Sequence, residues 1–329
     1  MSVLRWGILS TANIAVEKVI PGMRSATRAE IFGIASRDKV RAEATARQLG
    51  IPRSYGSYEA LLADPDIDAV YVPLPNHLHA QWAIAAARAG KHVLCEKPLA
   101  MTAAEAQTIV DAGREAGVVI MEAFMYRQHP SWVAVRELIG AGRIGRLSAV
   151  DSWFSYHLDD PTNIRNIREV GGGALYDIGC YTINLSRMLF GEEPASVAST
   201  IVRDPASGVD ILTSALLSFP SGVATFTCAT RVEPDQRVSI YGTTGRIEIE
   251  IPFNIPPNLP TRVFVTAGGD PPVAPDTEVL EFAPADAYGV EVDRFAEAVL
   301  DGAPLPITGD DSVANMRVIE RLFAAGEAP

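Results

Sequence analysis

The chain has 329 residues, 48% of them hydrophobic and 21% charged, which is ordinary for a globular protein of two domains. Its formal net charge of -12 at pH 7, without any cluster of Lys and Arg, argues against nucleic acid or an anionic membrane as a partner. No apolar run approaches the roughly 20 residues of a membrane span and the N-terminus lacks a signal-peptide pattern, so a cytoplasmic protein is expected.

In the first 125 residues, short apolar runs alternate with segments of helical period. The runs predict strands at 3–9, 30–35, 69–72, 92–95 and 118–121. The segments predict helices at 14–26, 39–49, 57–63, 77–89 and 103–116. Strict alternation of strand and helix predicts an α/β domain with a parallel sheet and helices on both faces.

After residue 145 the apolar runs become longer and are separated by turn residues. They predict strands at 147–156, 195–203, 210–219, 222–230, 236–241, 245–250 and 262–266. Helices are predicted at 174–190, 288–301 and 310–325, and the Pro- and Gly-rich stretch 252–276 is predicted to be mainly a surface loop. The second half is therefore expected to be an α+β domain with a large, mostly antiparallel sheet. The expected domains are 1–125 and 126–329.

The turn after the first strand, "GILSTANIA", lies where a dinucleotide fold has its glycine-rich turn. Ser and Ala are small enough to let the backbone approach a pyrophosphate, but positive φ is costly for them, so ordinary φ values are expected. The hydroxyls of Ser10 and Thr11 could add hydrogen bonds to phosphate at the helix N-terminus. The expected cofactor contacts in this turn are Ser10, Thr11, Ala12, Asn13 and Ile14.

The end of the second strand indicates which dinucleotide is bound. An NAD-specific fold usually ends this strand with an acidic residue that bonds the ribose 2′-hydroxyl. Here Ser36, Arg37 and Arg41 stand at that place, and their groups suit a 2′-phosphate, so NADP is expected rather than NAD. The alternative is that the two arginines are solvated charges at a helix start, and the neighbouring Asp38 keeps that alternative open.

Two further segments follow strands of the parallel sheet, where ligands bind in such folds. "YVPLPNHLH" supplies Pro73, Leu74, Asn76 and His79 as expected cofactor contacts, and "CEKPL" supplies Glu96 and Lys97. The proline after Lys97 restricts the backbone of that lysine and holds its ammonium in a defined place. His77 and His79 differ by two positions and do not share a helix face, so no metal site is expected.

Three motifs together resemble the Gfo/Idh/MocA family of oxidoreductases: "GKHVLCEKPLAMTAAEA", "MEAFMYRQHP" at 121–130 and "GGGALYDIGCYTIN" at 171–184. The resemblance covers nearly the whole chain. It implies an N-terminal Rossmann domain that binds NAD(P), a C-terminal domain with a large open sheet that binds a sugar or cyclitol, and dimers or tetramers formed through that sheet. It also places Lys97 in the active site, often before a cis proline.

The third motif departs from the pattern that is frequent in the family. Tyr181 stands where a histidine is usual, and Asn184 stands where an aspartate is usual. A tyrosine at this place is similar to the branch of NADP-dependent D-xylose dehydrogenases, dimeric dihydrodiol dehydrogenases and some nucleotide-sugar ketoreductases. Tyr181 and Lys97 are the expected catalytic residues, since an ammonium lowers the pKa of a nearby phenol from its ordinary value near 10. Asp177, four residues before Tyr181, is expected to orient substrate hydroxyls or Lys97.

The substrate contacts follow from position alone. Five residues are expected to bind the substrate, although each could equally be an interdomain or surface residue: Phe124, Tyr126, Arg127, Asn163 and Arg165. The expected function is NADP-dependent hydride transfer to or from a carbinol or carbonyl carbon of a sugar or related polyol. The alternatives are a trans-dihydrodiol dehydrogenase and a regulator that binds NADP and a sugar without turnover. The three widely spaced cysteines, Cys95, Cys180 and Cys228, are expected to be buried thiols.

Overall fold

The computed structural model describes residues 2–268 and 276–326. The chain forms two compact units, each built from two segments of sequence. The first consists of Met1–Gln128 with Asp286–Met316, and the second of His129–Ala285 with Arg317–Pro329. Across the described residues, no helix combines the length and the apolar character that crossing a membrane requires.

The first unit contains a six-stranded parallel sheet in the order β3-β2-β1-β4-β5-β6. This is the strand order of the Rossmann fold, whose ligand crevice lies beyond the C-terminal ends of the strands. The strands are β1 Leu4–Leu9, β2 Ala29–Ala35, β3 Arg53–Tyr55, β4 Ala69–Val72, β5 His92–Glu96 and β6 Ile120–Ala123. The intervening helices are α1 Ile20–Ser25, α2 Lys39–Leu49, α3 Tyr58–Leu62, α4 His79–Arg88 and α5 Ala103–Ala116. A π-helical segment, Ala15–Val19, leads into α1.

Local sequence signals fix the ends of these helices. Thr102 accepts a hydrogen bond from the Glu105 N–H at 3.1 Å and so caps α5, as the spacing of the two residues predicts. Gly50 and Gly117 end α2 and α5 with φ values of 61° and 66°, in the left-handed region that favours glycine. The predicted bounds of both helices are confirmed.

Helix α8, Ala287–Asp301, belongs to the first unit although it follows the second in sequence. Phe295 packs on Trp6 of β1 with the ring centroids 5.2 Å apart. Gly289 meets α1 so closely that an added Cβ would lie 2.8 Å from the Gly22 carbonyl oxygen. The buried face of α8 therefore returns the chain to the parallel sheet, and residues 286–316, which were expected in the domain 126–329, belong to the first unit.

The second unit contains an eight-stranded sheet in the order β14-β13-β12-β11-β7-β10-β9-β8. Among the strands that the structure describes in this sheet, only β7 and β10 pair in parallel, so the expectation of a mostly antiparallel sheet is confirmed. The strands are β7 Leu147–His157, β8 Ser196–Arg203, β9 Asp210–Phe219, β10 Gly222–Ala229, β11 Arg231–Gly242, β12 Gly245–Ile249, β13 Thr261–Ala267 and β14 Thr277–Phe282. The helices are α6 Pro130–Gly140, α7 Cys180–Phe190 and α9 Gly309–Gly326. A π-helical segment, Leu175–Gly179, precedes α7, and α9 begins in the first unit and ends in the second.

The two faces of this sheet differ in burial. One face is buried along β7, β9 and β10 and packs against α7. On the other face, Leu216, Thr225, Asp151 and Ser239 are register partners on successive strands, and none of them is buried. The large exposed hydrophobic side chains of this open face are Val202, Leu216, Val223, Tyr241 and Val279.

Three elements were not predicted from the sequence, namely β3, α6 and β14. The prediction of a surface loop over 252–276 was also wrong in part, because Phe253 and Ile255 are buried, at 0% and 7% exposure. Strand β13 lies within this stretch, where a strand was predicted at 262–266. Both side chains are apolar and bury their surface despite the surrounding prolines. Residues 269–275 of that predicted loop lie outside the described residues.

Candidate active site

The turn between β1 and the following helix is built without glycine. Ser10 nevertheless has a φ of 147°, in a region that L-residues rarely adopt, so the expectation of ordinary φ values was wrong. The Ser10 hydroxyl accepts a hydrogen bond from the Ala12 N–H at 2.9 Å, which holds the turn in this conformation. A glycine-like backbone is thus formed with a serine, and the strain, about 1–3 kcal/mol for such a conformation, is offset by surrounding contacts.

The first hydrogen bond of the helix that follows is made to a residue of this turn. The Val16 N–H donates to the Ala12 carbonyl at 3.1 Å and forms the first helical hydrogen bond. Asn13 is exposed and Ile14 is half-buried, whereas Ala15 is fully buried against the sheet. Small side chains at Ala12 and Ala15 leave the backbone accessible and the helix close to the sheet, so the turn fits a pyrophosphate.

The C-terminal end of β2 carries two exposed arginines. The Asp38 carboxylate accepts hydrogen bonds from the N–H groups of Val40 and Arg41, at 2.9 and 3.2 Å, and so caps α2. Because this carboxylate is committed to the helix, it is not placed as the acid that would bond a ribose 2′-hydroxyl. The Arg41 guanidinium donates to the Thr11 carbonyl at 3.4 Å, which brings it beside the first turn. Ser36 is buried, and its hydroxyl accepts a hydrogen bond from the Asp38 N–H.

Tyr58 is a further member of this cluster that the sequence did not reveal. Its ring is 6% exposed and lies edge-on to Trp82, with the centroids 4.8 Å apart. Burial raises the pKa of its hydroxyl, whereas Arg37, Ser10 and Arg41 act in the opposite direction. Tyr58 follows the Ser57 cap of α3, and no local pattern distinguishes it from an ordinary core residue.

The loop after β4 is tied to the loop after β5 by a histidine. His79 is fully buried, and its two ring nitrogens lie 2.7 Å from the Leu74 carbonyl and 2.9 Å from the Pro98 carbonyl. Burial lowers the pKa of this ring. Both nitrogens face the backbone of unit one, so the geometry gives His79 the role of joining the two loops rather than that of a direct cofactor contact. Pro73 and Leu74 are buried, and Asn76 is half-buried at the start of a short 3₁₀ turn.

The loop after β5 carries Lys97, which is half-buried, and the Lys97–Pro98 peptide bond is cis. The preceding Glu96 accepts a hydrogen bond from the Tyr71 hydroxyl and one from the Lys97 N–H, the latter at 3.4 Å. Burial, with the nearby Glu96 charge, raises the pKa of Glu291 on α8 well above its usual range. The returning helix therefore places a second carboxyl group close to Glu96, and no local pattern predicts this contact.

The three candidate substrate contacts after β6 are buried in the folded chain. Phe124 and Tyr126 are both 0% exposed and lie edge-on to each other. The Arg127 guanidinium forms an ion pair with Asp311 at 2.6 Å and donates to the Pro306 carbonyl at 3.4 Å. These contacts join the end of β6 to the C-terminal segment of the first unit, which gives Arg127 a structural role there.

In the second unit, the π-helical segment and α7 carry Asp177 and Tyr181. Asp177 accepts hydrogen bonds from the Tyr156 hydroxyl and from the Arg165 guanidinium, the latter at 3.0 Å. Burial and the adjacent carboxylate raise the pKa of Tyr156 well above its usual range, so its hydroxyl stays protonated and donates. Tyr156 was not among the predicted site residues. Asn163 accepts a hydrogen bond from the Arg165 N–H at 3.1 Å and so shapes the loop that carries this arginine.

Tyr181 lies in an aromatic environment. Its ring is edge-on to Phe154 of β7, at 5.8 Å, and to Phe253, at 5.6 Å. Phe154 and Phe253 stack on each other at 5.0 Å. Only 6% of Tyr181 is exposed, so the ring is fixed by packing while its hydroxyl is the one polar group it can present.

The remaining candidates for chemistry are inert. Cys95, Cys180 and Cys228 are buried thiols outside any disulfide, as expected, and burial raises the pKa of the Cys95 and Cys228 thiols well above their usual range. Among residues 2–268 and 276–326, no group of three His, Cys, Asp or Glu side chains could hold a metal ion.

Comparisons with known proteins agree with this architecture. The family model described as "Oxidoreductase family, NAD-binding Rossmann fold" matches residues 4–124, and "GFO/IDH/MocA C-terminal domain" matches residues 132–248. A D-xylose 1-dehydrogenase (NADP(+)) from Haloferax volcanii is 41% identical over 98% of both chains. The trans-1,2-dihydrobenzene-1,2-diol dehydrogenase of Mus musculus is 35% identical over 75% of this chain and 74% of its own.

Solved structures give the same result. A 3-ketoreductase from Actinomadura kijaniata, in complex with NADP and TDP-benzene, superposes with a TM-score of 0.90 at 30% identity and 98% coverage of both chains. That enzyme has also been solved with a lysine replaced by alanine or glutamate and with a tyrosine replaced by phenylalanine. On both halves of its sequence and on its fold, the chain belongs to the GFO/IDH/MocA family of oxidoreductases.

Proposed function

We propose that this chain is an NADP-dependent oxidoreductase that transfers a hydride between the nicotinamide and a carbinol or carbonyl carbon of a sugar or related polyol. The observation that carries the cofactor assignment is the end of β2, where Asp38 caps α2 while Arg41 reaches the Thr11 carbonyl. A 2′-phosphate carries the charge that two guanidinium groups bind well. The names of the D-xylose dehydrogenase and of the ketoreductase complex, both with NADP, support the assignment.

The chemistry divides between cofactor and protein. When bound, NADP supplies or accepts the hydride, and the protein must position the substrate and handle one proton. In the proposed oxidative direction, the Tyr181 oxygen takes the proton of the carbinol hydroxyl, and in the reductive direction it returns that proton to the carbonyl oxygen. Lys97 donates a hydrogen bond to the same substrate oxygen, and its positive charge favours the phenolate form of Tyr181. The lysine and tyrosine variants of the ketoreductase support this choice of residues.

Asp177 is proposed to orient the polar groups of the site. Its carboxylate is held by Tyr156 and by Arg165, whose side chain is 44% exposed. Arg165 and Asn163 are accordingly the proposed substrate contacts, since both lie on the loop that Asp177 anchors. For Arg127, the ion pair with Asp311 favours a structural role over a substrate contact.

A homodimer or homotetramer formed through the open face of the second sheet is part of the proposal. This face exposes Leu216, Val223 and Tyr241 at 40–41%, and a concave region of about 720 Å³ lies on it. Exposed apolar side chains grouped on one face are typical of an interface. Sedimentation of the wild type should give a dimer or tetramer, and Leu216→Glu with Val223→Glu should shift it to a monomer. A monomeric wild type at micromolar concentration contradicts this part.

The function is tested by absorbance at 340 nm. NADP⁺ is combined with aldoses, inositols and trans-dihydrodiols, and NADPH with ketosugars, each repeated with NAD⁺ or NADH. Turnover of a sugar or polyol with NADP supports the proposal, and turnover confined to the dihydrodiols supports a dihydrodiol dehydrogenase. Tight NADPH binding by fluorescence without turnover on any compound supports a regulator.

A further inference from the structure

The helix that carries Asp177 and Tyr181 begins at a carboxylate from a distant strand. Asp210, the first residue of β9, is 1% exposed, and its Oδ2 accepts a hydrogen bond from the Leu175 N–H at 2.6 Å. It also accepts one from the Thr213 hydroxyl at 3.3 Å. The first N–H groups of a helix lack partners within the helix, and here the preceding residue, Ala174, supplies no side-chain cap. Asp210 therefore caps this helix from a residue 35 positions along the chain.

The glycines before the helix make room for this carboxylate. Gly173 has a φ of 118°, and a Cβ added there would overlap the Asp210 Oδ1 atom. A Cβ on Gly172 would lie 2.6 Å from the Arg165 carbonyl oxygen. The "GGG" sequence thus makes room for two contacts. It leaves space for the Asp210 carboxylate at the start of the helix, and it lets the loop that carries Arg165 pass close to this backbone.

Two effects act in opposite directions on the charge of Asp210: the helix N-terminus favours the ionised carboxylate, whereas burial disfavours it. The N-terminus of a helix carries a partial positive charge, and an ionised carboxylate that accepts from its N–H groups complements that charge. Burial raises the pKa of Asp210 to about 6, while its hydrogen bonds and the Arg203 charge act in the opposite direction. Cys228 also faces Asp210, but its own pKa is raised well above the usual range, so its thiol is neutral at physiological pH. Ionisation of Asp210 therefore changes the charge under the helix near neutral pH.

We infer that Asp210 is a positioning residue for the proposed reaction: through the Leu175 amide and the space left by Gly173, it fixes the helix on which Asp177 and Tyr181 present their polar groups. This inference rests on the proposed function of Tyr181. Asp210 has no role in binding substrate or cofactor in this account. Its effect should accordingly appear in kcat rather than in the dissociation constant of NADPH.

The test compares Asp210→Asn with wild type, with Asp235→Asn as the matched control, since Asp235 is an exposed carboxylate on β11 paired with Arg237. Asparagine keeps an acceptor oxygen for the Leu175 N–H but removes the charge. We expect kcat for the best substrate of the panel to fall on the order of tenfold, with NADPH affinity within twofold. In wild type and in Asp235→Asn, kcat should fall as the pH is lowered through about 6, whereas Asp210→Asn should lack this fall.

Hydrogen exchange of the peptide covering residues 173–181 supplies a readout that does not depend on catalysis. Exchange should be faster in Asp210→Asn, and Gly173→Ala should give the same pattern by excluding the carboxylate. If Asp210→Asn has the same kcat, pH profile and hydrogen exchange as wild type, the inference is overturned. Normal turnover by Tyr181→Phe overturns the proposed function instead, and the exchange data then still report whether Asp210 holds the helix.

Discussion

The Arg41 guanidinium donates to the Thr11 carbonyl oxygen at 3.4 Å, so the start of α2 is joined to the turn that follows β1. This contact brings a positive charge to the place where the adenosine half of a dinucleotide lies in a Rossmann fold. The acid that follows Arg37 in sequence, Asp38, is held by the N–H groups of α2. The balance of charge at this edge of the sheet therefore favours a phosphate over a hydroxyl.

Replacing the two arginines should weaken NADPH binding selectively. For Arg37→Ala and for Arg41→Ala we expect the dissociation constant of NADPH to rise about tenfold or more, since hydrogen bonds to charged groups contribute roughly 1.5–3 kcal/mol. NADH affinity should change less than twofold. Fluorescence titration measures both, and Arg47→Ala, in the last turn of α2, is the control. An equal loss for both cofactors contradicts recognition of the 2′-phosphate.

Because Ser10 has an unusual backbone conformation, we expect glycine at this position to give a more stable protein than alanine, which reverses the usual order. At an ordinary position, alanine is more stabilising than glycine because glycine loses more conformational entropy on folding. At a φ of 147° glycine adopts the conformation without strain, so Ser10→Gly should be about 1 kcal/mol more stable than Ser10→Ala. Both variants lose the hydroxyl that bonds the Ala12 N–H, which makes them a matched pair. Urea unfolding measures the difference, and a more stable Ser10→Ala contradicts the strain.

The ion pair between Arg127 and Asp311 predicts a loss of stability rather than of substrate binding. The two side chains are 10% and 24% exposed, and removal of one partner takes away the opposite charge beside a largely buried group. We expect Arg127→Met and Asp311→Asn each to lower the free energy of unfolding by about 3 kcal/mol. The KM for substrate should stay within twofold of wild type in both. A raised KM in Arg127→Met alone would instead show that Arg127 binds the substrate.

The buried Asp210 predicts an unusual dependence of stability on pH. Its pKa is raised to about 6 from 3.8, so the folded state holds a proton more tightly than the unfolded state. The stabilisation is fully present below pH 4 and is lost as pH rises through 6, by about 3 kcal/mol at 1.36 kcal/mol per unit. Denaturant unfolding of wild type and Asp210→Asn between pH 4 and 7 isolates this contribution. A constant difference between the two proteins across that range contradicts it.

Much of the fold follows from local sequence. The bounds of α2, α5 and β9 agree with prediction because each combines clear periodicity with a cap or a turn residue at its ends. Strand β3 has only three residues, too few to show a period. Helix α6 was not predicted although its sequence carries a helix-start signal, because Pro130 occupies its first turn. In the structure, His129 accepts a hydrogen bond from the Ser131 N–H at this helix start.

The contacts that shape the candidate site depend on tertiary structure and could not be predicted. Ser10 has a φ of 147° although it is not a glycine, and its hydroxyl holds this turn through the Ala12 N–H. Asp210 lies 35 residues from the helix that it caps, and Glu291 reaches the surroundings of Glu96 only because α8 returns to the first unit. Such contacts cannot be inferred from the spacing of residues in the sequence. Residues near the ends of strands, such as Lys97 and Arg41, could be selected from the expected topology alone.

The central claim is that Lys97 and Tyr181 act on the same substrate oxygen. It is tested most directly by the rate of NADPH oxidation in a single turnover, after mixing the enzyme–NADPH complex with the best carbonyl substrate. Tyr181→Phe and Lys97→Met should each be slower by a factor on the order of a hundred, with NADPH affinity kept, while Tyr241→Phe, on the open sheet face, should match wild type. Turnover of Tyr181→Phe within twofold of wild type would contradict the account.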